Sequence, residues 1–233
     1  FHWFLFCGMY NENMKINNKI IEQIKKTAKE YFVCSSGCHD WTHVERVYNL
    51  ALKIAKKEGA DVGIVKIATY LHDIGRKEEM EGGGKVCHAE RGVELADTIL
   101  SQYNLDEDIV KNIKHCILSH RSRNDHKPKT IEAKTLFDAD KLDSIGAVGI
   151  GRDFLFAGYL GAYLYTGKEK KASKEAKKYA YTKEDTALLE YYFKLKKIKT
   201  EILTKTGKKI AKERYEYMAE FFKRFESEIK GIL

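Results

Sequence analysis

The sequence contains very little proline. Pro128 is the single proline among 233 residues, whereas leucine, isoleucine, alanine, lysine and glutamate are abundant. Proline inside a helix removes a backbone hydrogen bond and clashes with the preceding turn, so its scarcity leaves long helices intact. The composition therefore predicts an all-α chain, which is long enough to bury a sizeable core as one large domain or two small ones.

The cysteines give no sign of a disulfide framework. The chain has five of them, an odd number at irregular spacing, and this pattern fits free thiols in a reducing cytosol. Cys34 and Cys38 flank "SSG", but no second pair follows at zinc-ligand spacing, so a zinc knuckle is not expected. We therefore expect a cytoplasmic protein.

Long apolar runs are absent as well. The opening stretch, "FHWFLFCGMY", is apolar but far too short to span a bilayer, and no basic region precedes it. We therefore expect no membrane partner. Residues 1–15 are interpreted as an N-terminal extension or a cloning remnant.

Positive charge exceeds negative charge. Lysine and arginine number 42 against 34 aspartates and glutamates, which gives a net charge of +8. This balance permits acidic partners such as nucleotides. Much of the excess lies in "KEKKASKEAKK" (168–178), which is typical of a solvated surface. Nucleic acid is not an expected partner, because no aromatic-interleaved basic patch or recognised nucleic-acid module is present.

Apolar residues recur at helical spacing along most of the chain. In residues 16–32, for example, isoleucines stand four residues apart, which marks an amphipathic helix. "EEMEGGGKV" (78–86) predicts a loop, and "TKED" resembles a capping box that opens a helix at Thr182. The predicted helices cover residues 16–32, 42–58, 61–74, 88–102, 106–120, most of 130–158, and 208–230.

Several polar residues stand beside these apolar stripes. His43 lies on the second predicted helix, the pair His72-Asp73 ends the third, and Asp138 and Asp140 lie on a later one. Imidazole nitrogen and carboxylate oxygen together suit borderline divalent metals. Because ligands from three antiparallel helices can meet at one point in a bundle core, the order H … HD … D predicts a metal site. Spacing alone leaves the choice between Asp138 and Asp140 open.

The chain resembles the HD superfamily of metal-dependent phosphohydrolases, in its branch of small bacterial and archaeal proteins. The resemblance rests on "HDWTHVERVYNLALKIAKKEGAD", "LHDIGR", "SHRSRN", "EAKTLFDADKLDSIGAVGIGRDFLFAG" and "TKTGKKIAKERYEYMAEFF". It runs from about residue 16 to the last residue. It implies an HD-domain helical bundle with additional C-terminal helices, so residues 16–233 are expected to form a single HD domain with a C-terminal helical elaboration.

The resemblance implies a ligand set. The family's pattern places metal ligands at His43, His72, Asp73 and Asp140, where Asp140 is chosen by matching "ADKLD" with the family's usual "ADRLD". Here Lys141 stands where arginine is common, which keeps the charge but not a bidentate fork. Asp138 and Asp143 are expected to support the ligands or to cap a helix.

The resemblance also suggests further site residues. His88 and His120 fall at positions similar to the extra ligands of HD proteins that bind two metals, whereas His115 should point to another face of the same helix. Asp73 is the expected catalytic group, which both ligates metal and orients water. The candidates for phosphate binding are Arg76, Lys77, Arg121, Arg123 and Lys141.

The expected function is hydrolysis of a phosphate ester of a nucleotide or related small metabolite by a metal-activated water. One or two divalent ions (Mn, Fe, Ni, Co, Zn or Mg) would serve each chain. Two alternatives remain: a diiron HD-type oxygenase, and a non-catalytic HD protein that binds a ligand or nucleic acid. The sequence does not predict the oligomeric state.

Overall fold

A computed structural model describes residues 16–33, 39–82, 85–121 and 126–233. These residues form helices and no strand, which confirms the all-α prediction. Residues 1–15, Cys34, Cys38 and Arg123 lie outside the described ranges, so the predictions made for them stay predictions. The helices are α1 (Asn18–Glu30), α2 (Trp41–Glu58), α3 (Val62–Leu71), α4 (Arg76–Glu81), α5 (His88–Leu100), α6 (Glu107–Ser119), α7 (Ile131–Asp143), α8 (Gly146–Tyr159), α9 (Glu169–Ala172), α10 (Ala187–Glu190), α11 (Lys196–Glu201) and α12 (Lys205–Ile229).

The ends of α2 show why the sequence begins and stops its helices where it does. Asp40 precedes the helix, and its carboxylate accepts a hydrogen bond of 3.2 Å from the backbone N–H of His43. Gly59 ends it with a φ of +74°, a left-handed conformation that glycine adopts without steric cost. The chain then turns at once into α3, which Asp61 caps. Because these caps fix the first and last residues of α2, they also fix the position of His43, whose side chain is buried in the bundle.

Helices α2, α3, α6 and α7 form the centre of the bundle. α2 packs against α3 and α7, and α6 packs against both α3 and α7. Their facing surfaces are apolar and fully buried, as at Ile54, Ile67, Ile117 and Leu136. α1 covers α3, and α5 covers α6. Burial of this continuous apolar core drives folding, and it holds the backbones from which the polar residues project.

The C-terminal helices add a second layer beside α2, α7 and α8. On α12, Ala211, Met218 and Phe222 are buried, and the Phe222 ring stacks on Tyr191 with centroids 4.2 Å apart. Asp138 ties this layer to α7. Its carboxylate accepts hydrogen bonds of 2.8 Å and 2.7 Å from the backbone N–H groups of Leu203 and Thr204, just before α12 begins.

Two local predictions were wrong. Part of the predicted loop at 78–86 is helical, since residues 78–81 form the end of α4. The helix opened by a capping box at Thr182 begins instead at Ala187, and the hydroxyl of Thr186 caps it. The Thr182 hydroxyl instead donates to the Tyr179 carbonyl and accepts from the backbone N–H of Glu184, so it belongs to a turn and caps no helix. No helix in the described parts of the chain is long and apolar enough to cross a membrane.

Candidate metal centre

His43, His72, Asp73 and Asp140 come together between α2, α7 and the turn after α3. The Nε2 atoms of His43 and His72 are 3.3 Å apart. They lie 3.6 Å and 3.7 Å from Asp73 Oδ2, and Asp140 Oδ1 is 3.5 Å from His43 Nε2. We call these four residues the first half of the site. His43, His72 and Asp73 are spaced so that they can share one ion, and Asp140 lies beside His43.

Asp73, His88 and His120 form a second group beside the first. Both Nε2 atoms lie 3.4 Å from Asp73 Oδ1 and 3.1 Å from each other. We call these three residues the second half. Asp73 belongs to both halves, since Oδ2 faces His43 and His72 while Oδ1 faces His88 and His120. Its carboxylate therefore lies where it can bridge two ions.

Two of the four histidines are held by the backbone of their own helices. His72 Nδ1 is 2.7 Å from the Thr69 carbonyl, and His120 Nδ1 is 2.6 Å from the Ile117 carbonyl. A carbonyl oxygen can only accept, so Nδ1 carries the hydrogen in both rings. Each Nε2 then presents a lone pair to the cluster, which is the state in which histidine binds metals.

The other two histidines are held by carboxylates. His43 Nδ1 lies 2.8 Å from Asp143, and His88 Nδ1 lies 2.7 Å from Glu79. Both Nδ1 atoms therefore donate, and both Nε2 lone pairs face inward. Such a carboxylate fixes the ring orientation of a ligating histidine and makes it a stronger base.

The Asp73 carboxylate is buried, and neither of its oxygens accepts a hydrogen bond. Arg76 Nε lies 3.0 Å from Oδ1, but its N–H does not point along a hydrogen bond. A buried carboxylate without hydrogen bonds is costly unless a cation completes it. Burial opposes ionisation of Asp73, yet the positive charge of Arg76 holds its pKa well below the usual range. The residues thus fit a divalent metal.

Two of these histidines, His72 and His88, are neutral near pH 7. Burial lowers the pKa of His72 to about 4, and it lowers the pKa of His88 to about 4 as well. A neutral imidazole is the form that donates a lone pair to a metal. The two halves therefore combine neutral nitrogen donors with carboxylate oxygens, a donor set suited to Mn, Fe, Co, Ni or Zn.

Positive side chains surround the two halves. Arg46 and Arg152 lie 2.9 Å and 2.7 Å from Asp143, and Lys141 Nζ lies 3.1 Å from Asp140 Oδ2. Near the second half, Arg121 NH1 donates to Glu79 at 2.8 Å. The rim of the cluster is thus cationic.

The other predicted residues occupy different surroundings. Arg76 reaches Asp73 from α4, because α3 ends at Leu71 and a turn at 72–75 replaces the predicted continuous helix. The side chain of Lys77 is 64% exposed and lies 3.9 Å from Glu81, away from the cluster. His115 also lies outside the cluster, where it accepts a hydrogen bond from the backbone of Lys129.

Four residues of this region carry no functional prediction from the sequence. Arg46 stands three residues after His43 on α2, a spacing that would have suggested it. Glu79 and Arg152 reach the site only through the fold. The fourth is His39, whose ring lies 5.6 Å from the His43 ring.

The chain is similar to several known proteins. Residues 40–145 match the HD domain. The chain is 34% identical to the Bacillus subtilis protein YpgQ over 214 residues, which cover 92% of this chain and 96% of that protein. The crystal structure of YpgQ in complex with ADP superposes with a TM-score of 0.69 at 28% identity, over 92% of this chain and 97% of that one.

Two further solved structures are similar. An HD-superfamily hydrolase from Bacillus thuringiensis has a TM-score of 0.69 at 26% identity, over 91% of this chain and 97% of that one. A predicted HD-superfamily hydrolase from an uncultured Thermotogales bacterium has a TM-score of 0.62 at 30% identity, over 89% and 91%. The chain therefore belongs to the HD superfamily.

Proposed function

We propose that this HD-superfamily protein is a metal-dependent phosphohydrolase that cleaves a phosphate ester of a nucleotide or a related small metabolite. One observation carries the proposal. The Nε2 lone pairs of four histidines converge on the two oxygens of Asp73, a buried carboxylate that accepts no hydrogen bond. This arrangement suits divalent cations better than any interaction available within the chain.

The chain supplies a place for one cation in each half. His43, His72, Asp73 and Asp140 would hold one ion, and His88 and His120 would hold a second across the shared Asp73. When bound, a divalent cation lowers the pKa of a coordinated water toward neutrality and polarises a phosphoryl oxygen. Asp73 would serve as ligand and as the group that orients the attacking water.

The charge around the cluster favours a phosphate group. Among the described residues around the cluster, five cationic side chains form ion pairs with four carboxylates. Positive side chains therefore outnumber negative ones before any metal is counted. Preorganised positive charge of this kind stabilises the charge that develops on a transferring phosphoryl group. The cations are Arg46, Arg76, Arg121, Lys141 and Arg152, and the carboxylates are Asp73, Glu79, Asp140 and Asp143.

All five cations are partly exposed to solvent. The side chains of Arg76, Arg121 and Lys141 are 23%, 17% and 13% exposed, so they are accessible to a ligand that enters from solvent. We assign them to the phosphate. Lys77 faces away from the cluster, and its assignment to phosphate has the weakest geometric support.

A nucleotide is the substrate class with the most support. YpgQ, which aligns with nearly the whole chain, was crystallised with ADP. The cations around the cluster here suit a group with several negative charges, such as a diphosphate. We therefore extend the nucleotide preference to this chain as part of the proposal.

Phosphate release across a substrate panel tests the proposal. The panel contains phosphomonoesters, cyclic nucleotides, and nucleoside diphosphates and triphosphates, each assayed with Mn²⁺ added. Asp73→Ala should abolish release from every substrate that the wild type cleaves. Asp108→Ala is the matched control, because Asp108 is 91% exposed and lies far from the cluster on α6. Equal activity of Asp73→Ala and wild type would refute the proposed role of the cluster.

A second candidate is favoured by the presence of His88 and His120 in the cluster. With them, the cluster comprises six side chains including Asp73, and a diiron oxygenase uses a ligand set of this size. Oxygen consumption by the iron-loaded protein, without phosphate release, would identify that activity. Phosphate release that needs Mn²⁺ and proceeds without oxygen would exclude it.

A further inference from the structure

The carboxylate of Glu79 contacts three side chains, which come from three different parts of the fold. Its Oε2 accepts from His88 Nδ1 at 2.7 Å and from Arg76 NH1 at 3.0 Å, and its Oε1 accepts from Arg121 NH1 at 2.8 Å. His88 begins α5, Arg76 begins α4, and Arg121 follows α6. Glu79 touches none of the atoms at the cluster's centre, so it acts on the site through these partners.

The partner that matters for metal binding is His88. A neutral imidazole carries its hydrogen on either nitrogen, and the acceptor at Nδ1 decides which. Glu79 keeps the hydrogen on Nδ1, so that Nε2 offers its lone pair 3.1 Å from His120 Nε2 and 3.4 Å from Asp73 Oδ1. Without Glu79, the ring of His88 would be free to rotate or to move its hydrogen to Nε2, where it would block the second half.

The first half shows the same arrangement around another carboxylate. Asp143 accepts from His43 Nδ1 and is flanked by two arginines, Arg46 and Arg152. Glu79 likewise accepts from one histidine and is flanked by two arginines. His72 and His120, by contrast, are held by carbonyl oxygens of their own helices, which no side-chain substitution removes. Each half therefore has one replaceable carboxylate that orients one of its histidines.

We propose that Glu79 is a positioning residue that gives the second half its affinity for a divalent cation, as Asp143 does for the first half. The two halves then lose their cations independently. This inference rests on the proposed function only in requiring that the cluster binds divalent cations, and it requires no particular substrate.

Titration of the metal-stripped protein with Mn²⁺ tests this inference. Equilibrium dialysis measures the number of bound ions and their affinities. Electron paramagnetic resonance distinguishes two Mn²⁺ ions coupled through Asp73 from one isolated ion. The wild type should bind two coupled ions. Glu79→Ala should keep one site at wild-type affinity and weaken the other by about 10–100-fold, which leaves the signal of an isolated ion.

Three further variants sharpen the test. Glu79→Gln retains an acceptor for His88 but loses the charge, so it should weaken the second ion less than Glu79→Ala does. Asp143→Asn should weaken the other site and leave the second half's ion bound. Glu81→Ala is the matched control, because Glu81 lies on the same short helix and is 66% exposed. It should bind both ions as the wild type does.

Three results would overturn the inference. They are a wild type that saturates at one Mn²⁺, a Glu79→Ala protein with two sites of wild-type affinity, and a Glu79→Ala protein that loses both sites together. Circular dichroism checks the fold, and Glu79→Gln carries the test if the alanine variant unfolds. Failure of the proposed function is distinguishable, because it would leave these stoichiometries as expected with no phosphate released from any substrate.

Discussion

His43 and Asp143 stand 100 positions apart in the sequence, yet His43 Nδ1 lies 2.8 Å from Asp143 Oδ2. The contact joins the first turn of α2 to the last residue of α7, and it orients the histidine toward Asp73. Burial opposes ionisation of Asp143, yet the hydrogen bond from His43, together with Arg46 and Arg152, lowers its pKa to about 2. The geometry of the first half thus depends on a residue that does not itself face the cluster's centre.

Asp143→Asn should therefore lower phosphate release without unfolding the protein. Loss of the charged acceptor weakens the ligand strength of His43, and such changes cost about 10–100-fold in metal affinity or activity. Because the defect lies in metal affinity, higher Mn²⁺ concentrations should restore part of the rate. Activity measured as a function of Mn²⁺ checks this. A rate that stays equally low at saturating Mn²⁺ would point to a catalytic role for Asp143 instead.

His120→Ala and His115→Ala make a matched pair on the same stretch of chain. His120 is buried against His88 and Asp73, whereas His115 accepts a hydrogen bond from the Lys129 backbone outside the cluster. His120→Ala should reduce phosphate release by at least about tenfold, because it removes a ligand atom from the second half. His115→Ala should keep the wild-type rate. Similar losses in both variants would mean that disturbance of this helix, rather than the lost ligand, explains the effect.

Substitutions at Asp138 and Asp140 should have different effects. The first should lower stability, and the second should impair metal binding. Asp138 is fully buried and accepts the backbone N–H groups that precede α12, so Asp138→Ala should lower the free energy of unfolding by about 1–3 kcal/mol. It should still bind metal. Asp140→Ala should fold normally and lose metal at the first half. Urea denaturation and metal analysis of both variants check this, and the reverse pattern would assign the ligand to Asp138.

The burial of Asp153, which is not one of the proposed metal ligands, should make the stability of the protein depend on pH. The residue is buried between α8 and α10, and its Oδ2 has no hydrogen-bond partner. Burial raises its pKa well above the usual value, with a further contribution from Glu190. A carboxyl whose pKa is higher in the folded than in the unfolded protein costs stability as the pH rises from the unfolded value of about 4 through the folded value.

Asp153→Asn should remove that cost. The variant should be more stable than the wild type at pH 8, by about 1 kcal/mol or more, and the difference should shrink toward pH 4. Thermal unfolding at several pH values measures it. If the wild type is as stable as the variant at pH 8, the Asp153 carboxylate must have a hydrogen-bond partner in solution, and the prediction is wrong.

The sequence predicted the helices and the principal polar residues, because both leave local patterns. The spacing of apolar residues reveals the buried face of a helix, and the adjacent His72-Asp73 pair is a recognisable signal. The residues that orient the ligands leave no such pattern. Glu79 enters the site because α3 ends at Leu71 and the turn at 72–75 changes the direction of the chain, whereas the sequence suggested a helix through residue 74.

The local sequence pattern was also unable to distinguish between Asp138 and Asp140. Both lie on α7 two positions apart, so they point to different sides of the helix. Only the packing of α12 on α7 shows that Asp138 is committed to the backbone of Leu203 and Thr204. Long-range packing, which the local sequence does not encode, places the two residues in different surroundings.

The central claim is that the cluster around Asp73 is a metal-dependent hydrolytic centre. The most direct test is phosphate release from a nucleoside diphosphate by the metal-stripped protein, measured before and after Mn²⁺ is added. We predict no release before addition, release after it, and none at either stage from Asp73→Ala. Release from the stripped protein at the full rate, or release by Asp73→Ala equal to that of the wild type, would contradict the claim.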